Sequence, residues 1–292
     1  MRYRVWHSTT YSYDDRVTDS LGIAHLVPRA LPWQQVASYD VTVTPAPGDL
    51  GHDVDYYGNT STYFQVTSPH DELVVEATSE VSVGAVTPDP EALAGPWERV
   101  RPLLRPDAPG AWRATDFALA SSQVEQVPGA ERYAAPSFSR GRPVGEAVAD
   151  LMHRIHADFE YDPTATTVTS TVEDILDNRA GVCQDYAHLT LACLRSQGLA
   201  GRYVSGYLAT EPAPGQARVV GADASHAWVA VWLGDDRWLA FDPTNDQWVG
   251  ERYVTVAWGR DYSDVPPVKG VIFTEAKKST LKVAVDVAPL DA

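Results

Sequence analysis

Gly181-Val182-Cys183-Gln184-Asp185-Tyr186 sets a thiol at the opening of a helix, directly after a glycine that allows close approach of the chain. Tyr186, Leu189, Thr190, Cys193, Leu194 and Gln197 continue along one side of that helix, and Gly198 supplies its stop. The first turn of a helix has unpaired N–H groups and the positive end of the dipole, so it favours a thiolate over a thiol. Cys183 therefore reads as a nucleophile. Cys193 lies between Leu191 and Leu194 and reads as a small buried apolar residue. Ten residues of helix hold the two sulfurs about 15 Å apart, too far for a disulfide. Two unbridged thiols fit a reducing compartment, and cytoplasmic residence is the expectation.

A nucleophilic thiolate needs an imidazole to balance its charge and carry a proton to the leaving group. Ser225-His226-Ala227-Trp228 offers one at the start of the apolar strand 227–233, which turns at Gly234-Asp235-Asp236 into Trp238-Leu239-Ala240-Phe241-Asp242-Pro243. Asp242 ends the return strand. A three- or five-residue loop, or a bulge, puts His226 and Asp242 on one face as diagonal neighbours. An unbulged two- or four-residue loop separates them. The chemistry requires the first arrangement, in which Asp242 orients the ring and supports the imidazolium.

Outward from this hairpin the chain divides into three. Residues 1–83 alternate with a period near two, as in Tyr39-Val41-Val43 and Val81-Val83, and read as a β-rich domain. Residues 84–143 are proline-rich and lack a long periodic segment, so they read as a surface connection with one short helix near 115–122. Residues 144–292 begin with an amphipathic helix carrying Val144, Val148, Leu151, Met152, Ile155 and Phe159 on one face. A Thr171–Asp174 capping pair predicts a second helix over 172–179. Strand signals follow at 202–208, 219–220, 227–233, 238–241, 253–258 and 281–287.

Composition narrows the function. The 292 residues carry a formal charge of −16, which opposes binding to nucleic acid or an anionic membrane. The longest apolar run, 227–233, is far shorter than a spanning helix needs. The N-terminus runs straight into alternating residues without the apolar stretch of a signal peptide.

Gly-Val-Cys-Gln-Asp at 181–185, Ser-His-Ala-Trp at 225–228 and Phe-Asp-Pro-Thr at 241–244 together resemble the bacterial branch of the transglutaminase-like superfamily of papain-type cysteine enzymes. Residues 3–83, with His7-Ser8-Thr9-Thr10-Tyr11, Val27-Pro28-Arg29 and Asp55-Tyr56-Tyr57-Gly58-Asn59, are similar to that family's β-rich N-terminal domain. The block 259–267 resembles one that follows the core. The resemblance implies an α+β fold: a papain-like core in which the nucleophile helix packs on an antiparallel sheet, preceded by the β domain. It also implies an acyl-enzyme mechanism with Cys183 as nucleophile, His226 as general base and then acid, and Asp242 as orienter. The Cys183 N–H is the natural oxyanion donor. Gln184 follows the nucleophile, whereas the papain oxyanion glutamine precedes it, so Gln184 takes no such role.

Neither a cofactor nor a metal is expected, and no loop resembles a calcium-binding EF-hand. His153-x-x-His156 with Asp158 lacks a third ligand at suggestive spacing and reads as solvated helix surface. Asp185 and His188 read as a local pair. Arg260, Asp261 and Asp264 either line an acceptor pocket or tie down a loop. The sequon at Asn59 carries no weight without a secretory signal. Hydrolysis of an amide in a peptide, protein or small molecule is the leading function. A transamidating acyltransferase is the runner-up, and a non-catalytic scaffold is third.

Overall fold

Strand β1 (Arg2–Ala24) organises the N-terminal half, and it is long because polar and apolar residues alternate through it almost without a break. It joins β2 (Gln34–Thr44), β3 (Asp49–Val54), β4 (Thr60–Val66) and β5 (His70–Val83) in the order β2-β5-β1-β4-β3. The register slips between Ser12 and Val17, so β5 pairs mainly with the first half of β1 and β4 with its last residues. Between the halves lies a core of Val41, Val43, Phe64, Val66, Val75 and neighbours. Gly22 makes this packing possible, because a Cβ there would stand 2.1 Å from the Phe64 ring. The computed structural model describes residues 1–167, 169–210 and 225–290. The strand expected at 219–220 lies outside them.

Among the described residues six α-helices follow in chain order: α1 (Pro90–Ala94), α2 (Ala111–Thr115), α3 (Pro128–Ala134), α4 (Val144–Asp158), α5 (Val172–Asn178) and α6 (Cys183–Ser196). α2, with a 3-10 turn at Asp116–Ala118, replaces the helix expected over 115–122. α5 carries the predicted Thr171–Asp174 capping box. Short strands β6 (Glu160–Tyr161) and β7 (Ala180–Gly181) pair in parallel just before α6. A second, five-stranded antiparallel sheet comprises β8 (Gly201–Leu208), β9 (Ser225–Gly234), β10 (Arg237–Asp242), β11 (Gln247–Trp248) and β12 (Tyr253–Gly259), in the order β11-β10-β9-β8-β12. Val229 and Val231 of β9 pack with Leu189, Leu191 and Leu194 of α6 in the main core.

The last two strands depart from the sequence reading. β13 (Val268–Thr274) was not foreseen, and β14 (Ser279–Pro289) covers the predicted 281–287 strand, but both pair with β1 in the N-terminal sheet. The unit read as 144–292 therefore gives its C-terminal strands to the first sheet. Alternation reveals a strand and its buried face without revealing which edge it will join. Tyr3, Val5, Val285 and Val287 share one core with α4 and α6, so the two sheets pack as a continuous body.

Two buried amides fasten them. Gln34 donates to the Thr255 carbonyl at 2.7 Å and accepts from its N–H at 2.8 Å. Asn59 does the same with Trp258, at 2.9 Å each way. Both serve the edge strand β12 as substitutes for a neighbouring strand. Asn59 is fully buried, so its sequon cannot accept a glycan in the folded protein. Among the described residues, no helix is long and apolar enough to cross a membrane.

Candidate active site

The hairpin turns on Asp235 and Asp236, both at positive φ, as a two-residue type I′ turn requires. Without correction such a turn would separate His226 from Asp242. Arg237 pairs with Gly234, but Trp238 pairs with Trp232, so Leu233 is an extra residue on β9. That bulge restores a common face. Continuing the register sets Asp242 opposite Trp228, with His226 as its diagonal neighbour. His226 Nε2 lies 2.7 Å from Asp242 Oδ2. Cys183, the first residue of α6, lies near enough to the same imidazole to help hold its charge. The three residues singled out in the sequence are thus together.

Asp242 is fully buried, and its two oxygens accept five hydrogen bonds. Oδ2 takes His226, Tyr253 Oη at 2.7 Å and Asn245 Nδ2 at 2.7 Å. Oδ1 takes the N–H groups of Thr244 at 2.9 Å and Asn245 at 3.2 Å. Burial pushes the carboxyl pKa up, but the hydrogen bond and charge of His226, with Asn245 and Tyr253, outweigh it and hold the pKa below the usual value. His226, 11% exposed, is the reverse case. Burial disfavours its charge, yet the hydrogen bonds and charges of Asp242 and Cys183 raise its pKa to about 10. At neutral pH the ring is an imidazolium, with Nδ1 left for the sulfur because Nε2 is committed to Asp242.

Packing fixes this geometry. The His226 ring lies 6.0 Å from Trp228 and 6.2 Å from Tyr253, centroid to centroid. Gly206 faces His226 across β8, and a Cβ there would meet the Val254 carbonyl at 2.1 Å and the Trp228 ring at 2.5 Å. Among the described residues the Cys183 N–H donates no hydrogen bond, so it is available to an oxyanion. Asp185 does not pair with His188. It reaches back to the Val182 N–H at 2.8 Å and accepts from Thr166 Oγ1 at 2.6 Å. Gly181 lets it do so, since a Cβ there would stand 2.6 Å from the carboxylate. His188 is buried, accepts from the Tyr262 N–H at 3.2 Å, and is pushed down to about 4 by desolvation.

The other sequence candidates resolve as supports. Asp264 pairs with Arg260 at 3.1 Å, and Asp261 accepts from the Gln123 N–H at 2.8 Å and the Ser263 N–H at 2.9 Å. The tie-down reading of that loop is the one observed. His153 and His156 are not merely solvated: His153 Nδ1 bonds Asp246, and His156 Nδ1 lies 2.9 Å from the Thr244 carbonyl. They grip the turn after Asp242. No cluster among the described residues could hold a metal ion. Asn245 and Tyr253 were missed; the only sequence signal was a polar Asn directly after Phe-Asp-Pro-Thr.

A helix whose first residue presents a thiol to a histidine and aspartate on an antiparallel sheet is the arrangement of papain-like folds. Residues 3–82 match the bacterial transglutaminase-like N-terminal region and residues 132–243 the transglutaminase-like superfamily. The chain belongs to that superfamily. It is 46% identical to an uncharacterized protein of Mycobacterium tuberculosis over 99% of this chain and 93% of that one. A protein-glutamine gamma-glutamyltransferase of Pseudomonas aeruginosa is 33% identical over 36% of this chain and 18% of its own length. The fold is similar to that of a provisionally assigned cysteine protease from Cytophaga hutchinsonii, with a TM-score of 0.75 and 19% identity over 100% of this chain and 92% of that one.

Proposed function

We propose that this protein is a cysteine-dependent acyl-transfer enzyme that hydrolyses an amide bond in a peptide, protein or small molecule through a thioester. The observation that carries the reading is the His226 imidazole, set near Cys183 and hydrogen-bonded to a fully buried carboxylate that accepts five hydrogen bonds. A surface histidine would gain nothing from such support. In the forward step the Cys183 sulfur attacks the carbonyl carbon, and the oxyanion takes the Cys183 N–H. The C–N bond then breaks as His226 gives its proton to the departing amine. His226, now neutral, removes a proton from water. The resulting hydroxide attacks the thioester, and the acid leaves with Cys183 regenerated. Asp242 keeps the ring oriented throughout.

A second reading replaces water with an amine and ends in a transamidated product. The likeness to a protein-glutamine gamma-glutamyltransferase over about a third of the chain favours it. An activated acyl ester supplied with and without primary amines separates the two. Acylation of Cys183, seen as a mass increment absent in Cys183→Ala, supports both readings. New amide product at the expense of acid selects the second. No acylation at all would defeat both.

A further inference from the structure

A cavity of about 740 Å³ lies between the N-terminal segments 29–33, 56–58 and 86–89 and the strands β10 and β12. Cys183, His226 and Asp242 do not line it. Its volume falls in the range of small-molecule sites. In a chain of net charge −16 its lining holds four arginines against two aspartates. Both aspartates are already engaged: Asp89 with Arg237 at 2.5 Å and Asp236 with Arg113 at 3.5 Å. Arg29 and Arg202 remain.

Neither has a carboxylate within ion-pairing distance among the described residues. Arg29 donates Nη1 to the neutral amide of Asn59, and its buried Nε has no partner. The Arg202 side chain makes no hydrogen bond to any described residue, and its Nε is likewise buried and unpaired. Its guanidinium is held by aromatic faces alone, 3.6 Å from the Trp238 ring centre and 4.4 Å from Trp258, while Arg29 lies 3.6 Å from Trp258. The buried indole N–H of Trp238 also lacks an acceptor. Burial and the neighbouring Arg29 push Arg202 down to about 9. An unpaired guanidinium retained in such a place is costly, and an anion would relieve the cost.

We propose that this cavity binds a small organic carboxylate with a flat apolar body, its carboxylate held by Arg202 and Arg29 and its body by the surrounding aromatic walls. The planar guanidinium forks match a carboxylate in two-point geometry. Trp33, Trp248 and Tyr57 line the rest of the cavity and suit a flat ring better than a hydrated inorganic ion. The site does not depend on the thiol chemistry proposed above.

The test is binding, read by tryptophan fluorescence and calorimetry on the full chain, with benzoate as probe, benzamide as its neutral isostere, and inorganic phosphate as the alternative anion. Saturable benzoate binding, with benzamide at least tenfold weaker, is expected. Arg202→Met keeps an apolar stem on the indoles and should weaken benzoate at least tenfold. Arg29→Lys retains the charge without the fork and should weaken it several-fold, so the proposal stays testable if the first variant does not fold. Equal binding of benzoate and benzamide, phosphate binding without benzoate binding, or benzoate affinity unchanged in a folded variant would each overturn it.

Discussion

Replacing Asp242 by Asn changes one atom in the site and should move the His226 titration by a measurable amount. The imidazole stands at about 10 where an ordinary histidine stands at 6.5. At 1.36 kcal/mol per pH unit, that difference is worth about 5 kcal/mol in favour of the protonated ring. Burial opposes it, so the partners together supply more than the net value. Asp242, bonded at 2.7 Å and carrying its charge out of water, supplies a larger part than Cys183. Its removal should lower the midpoint by at least about 2 pH units, equivalent to about 3 kcal/mol. The sign follows from linkage. A pKa raised on folding contributes stability that is complete below pH 6.5 and is lost as pH rises through about 10, so the variant should lose it at a lower pH. Ring-carbon-labelled histidine NMR, with His226→Gln to assign the resonance, reads the midpoint directly, and Cys183→Ala measures the sulfur's share. The Asn amide also turns an NH2 group toward at least two of the five donors, costing about 1–3 kcal/mol of stability for each. The comparison therefore belongs well below the melting transition. A midpoint that drops by less than one pH unit in the folded variant would refute the account of how the ring is charged.

Iodoacetamide should modify one cysteine in the native protein and two in the denatured one, by mass. Cys193 is fully buried with its thiol pushed up to about 12 by desolvation, and native modification at that position would contradict the packing of α6. Tyr253→Phe removes one hydrogen bond to the buried Asp242 carboxylate and should cost about 1.5–3 kcal/mol in urea unfolding; a wild-type unfolding curve would speak against it. Gly206→Ala puts a methyl group into the Val254 carbonyl and the Trp228 ring, so it should destabilise by about 1–3 kcal/mol or more and slow Cys183 acylation. Unchanged rates and stability would show that β8 can yield there.

The parts of this site that stood out in the sequence are those governed by short-range rules. Cys183 follows a glycine and opens an apolar-periodic helix, His226 opens a strand, and Asp242 precedes a proline that ends one. Each signal needs only a few neighbouring residues. What joins them was not legible, because it depends on one residue of slip: Asp235-Asp236 makes a two-residue turn, which alone would put His226 and Asp242 on opposite faces, and the Leu233 bulge reverses that. Nothing in the composition of Trp232-Leu233-Gly234 announces a bulge over regular pairing. Long-range partners were hidden for a related reason. β14 read as a strand, but its pairing with β1 across more than 260 residues leaves no local trace. His153 and His156 looked solvated because a helix face shows what it offers and not what docks on it, and the turn 244–246 does dock there. In the sequence Arg202 is only the start of the strand 202–208, and its guanidinium stands out only once the fold places it on the Trp238 and Trp258 rings. Such a residue either finds an acid elsewhere in the fold or waits for one from outside, and among the described residues no acid reaches it.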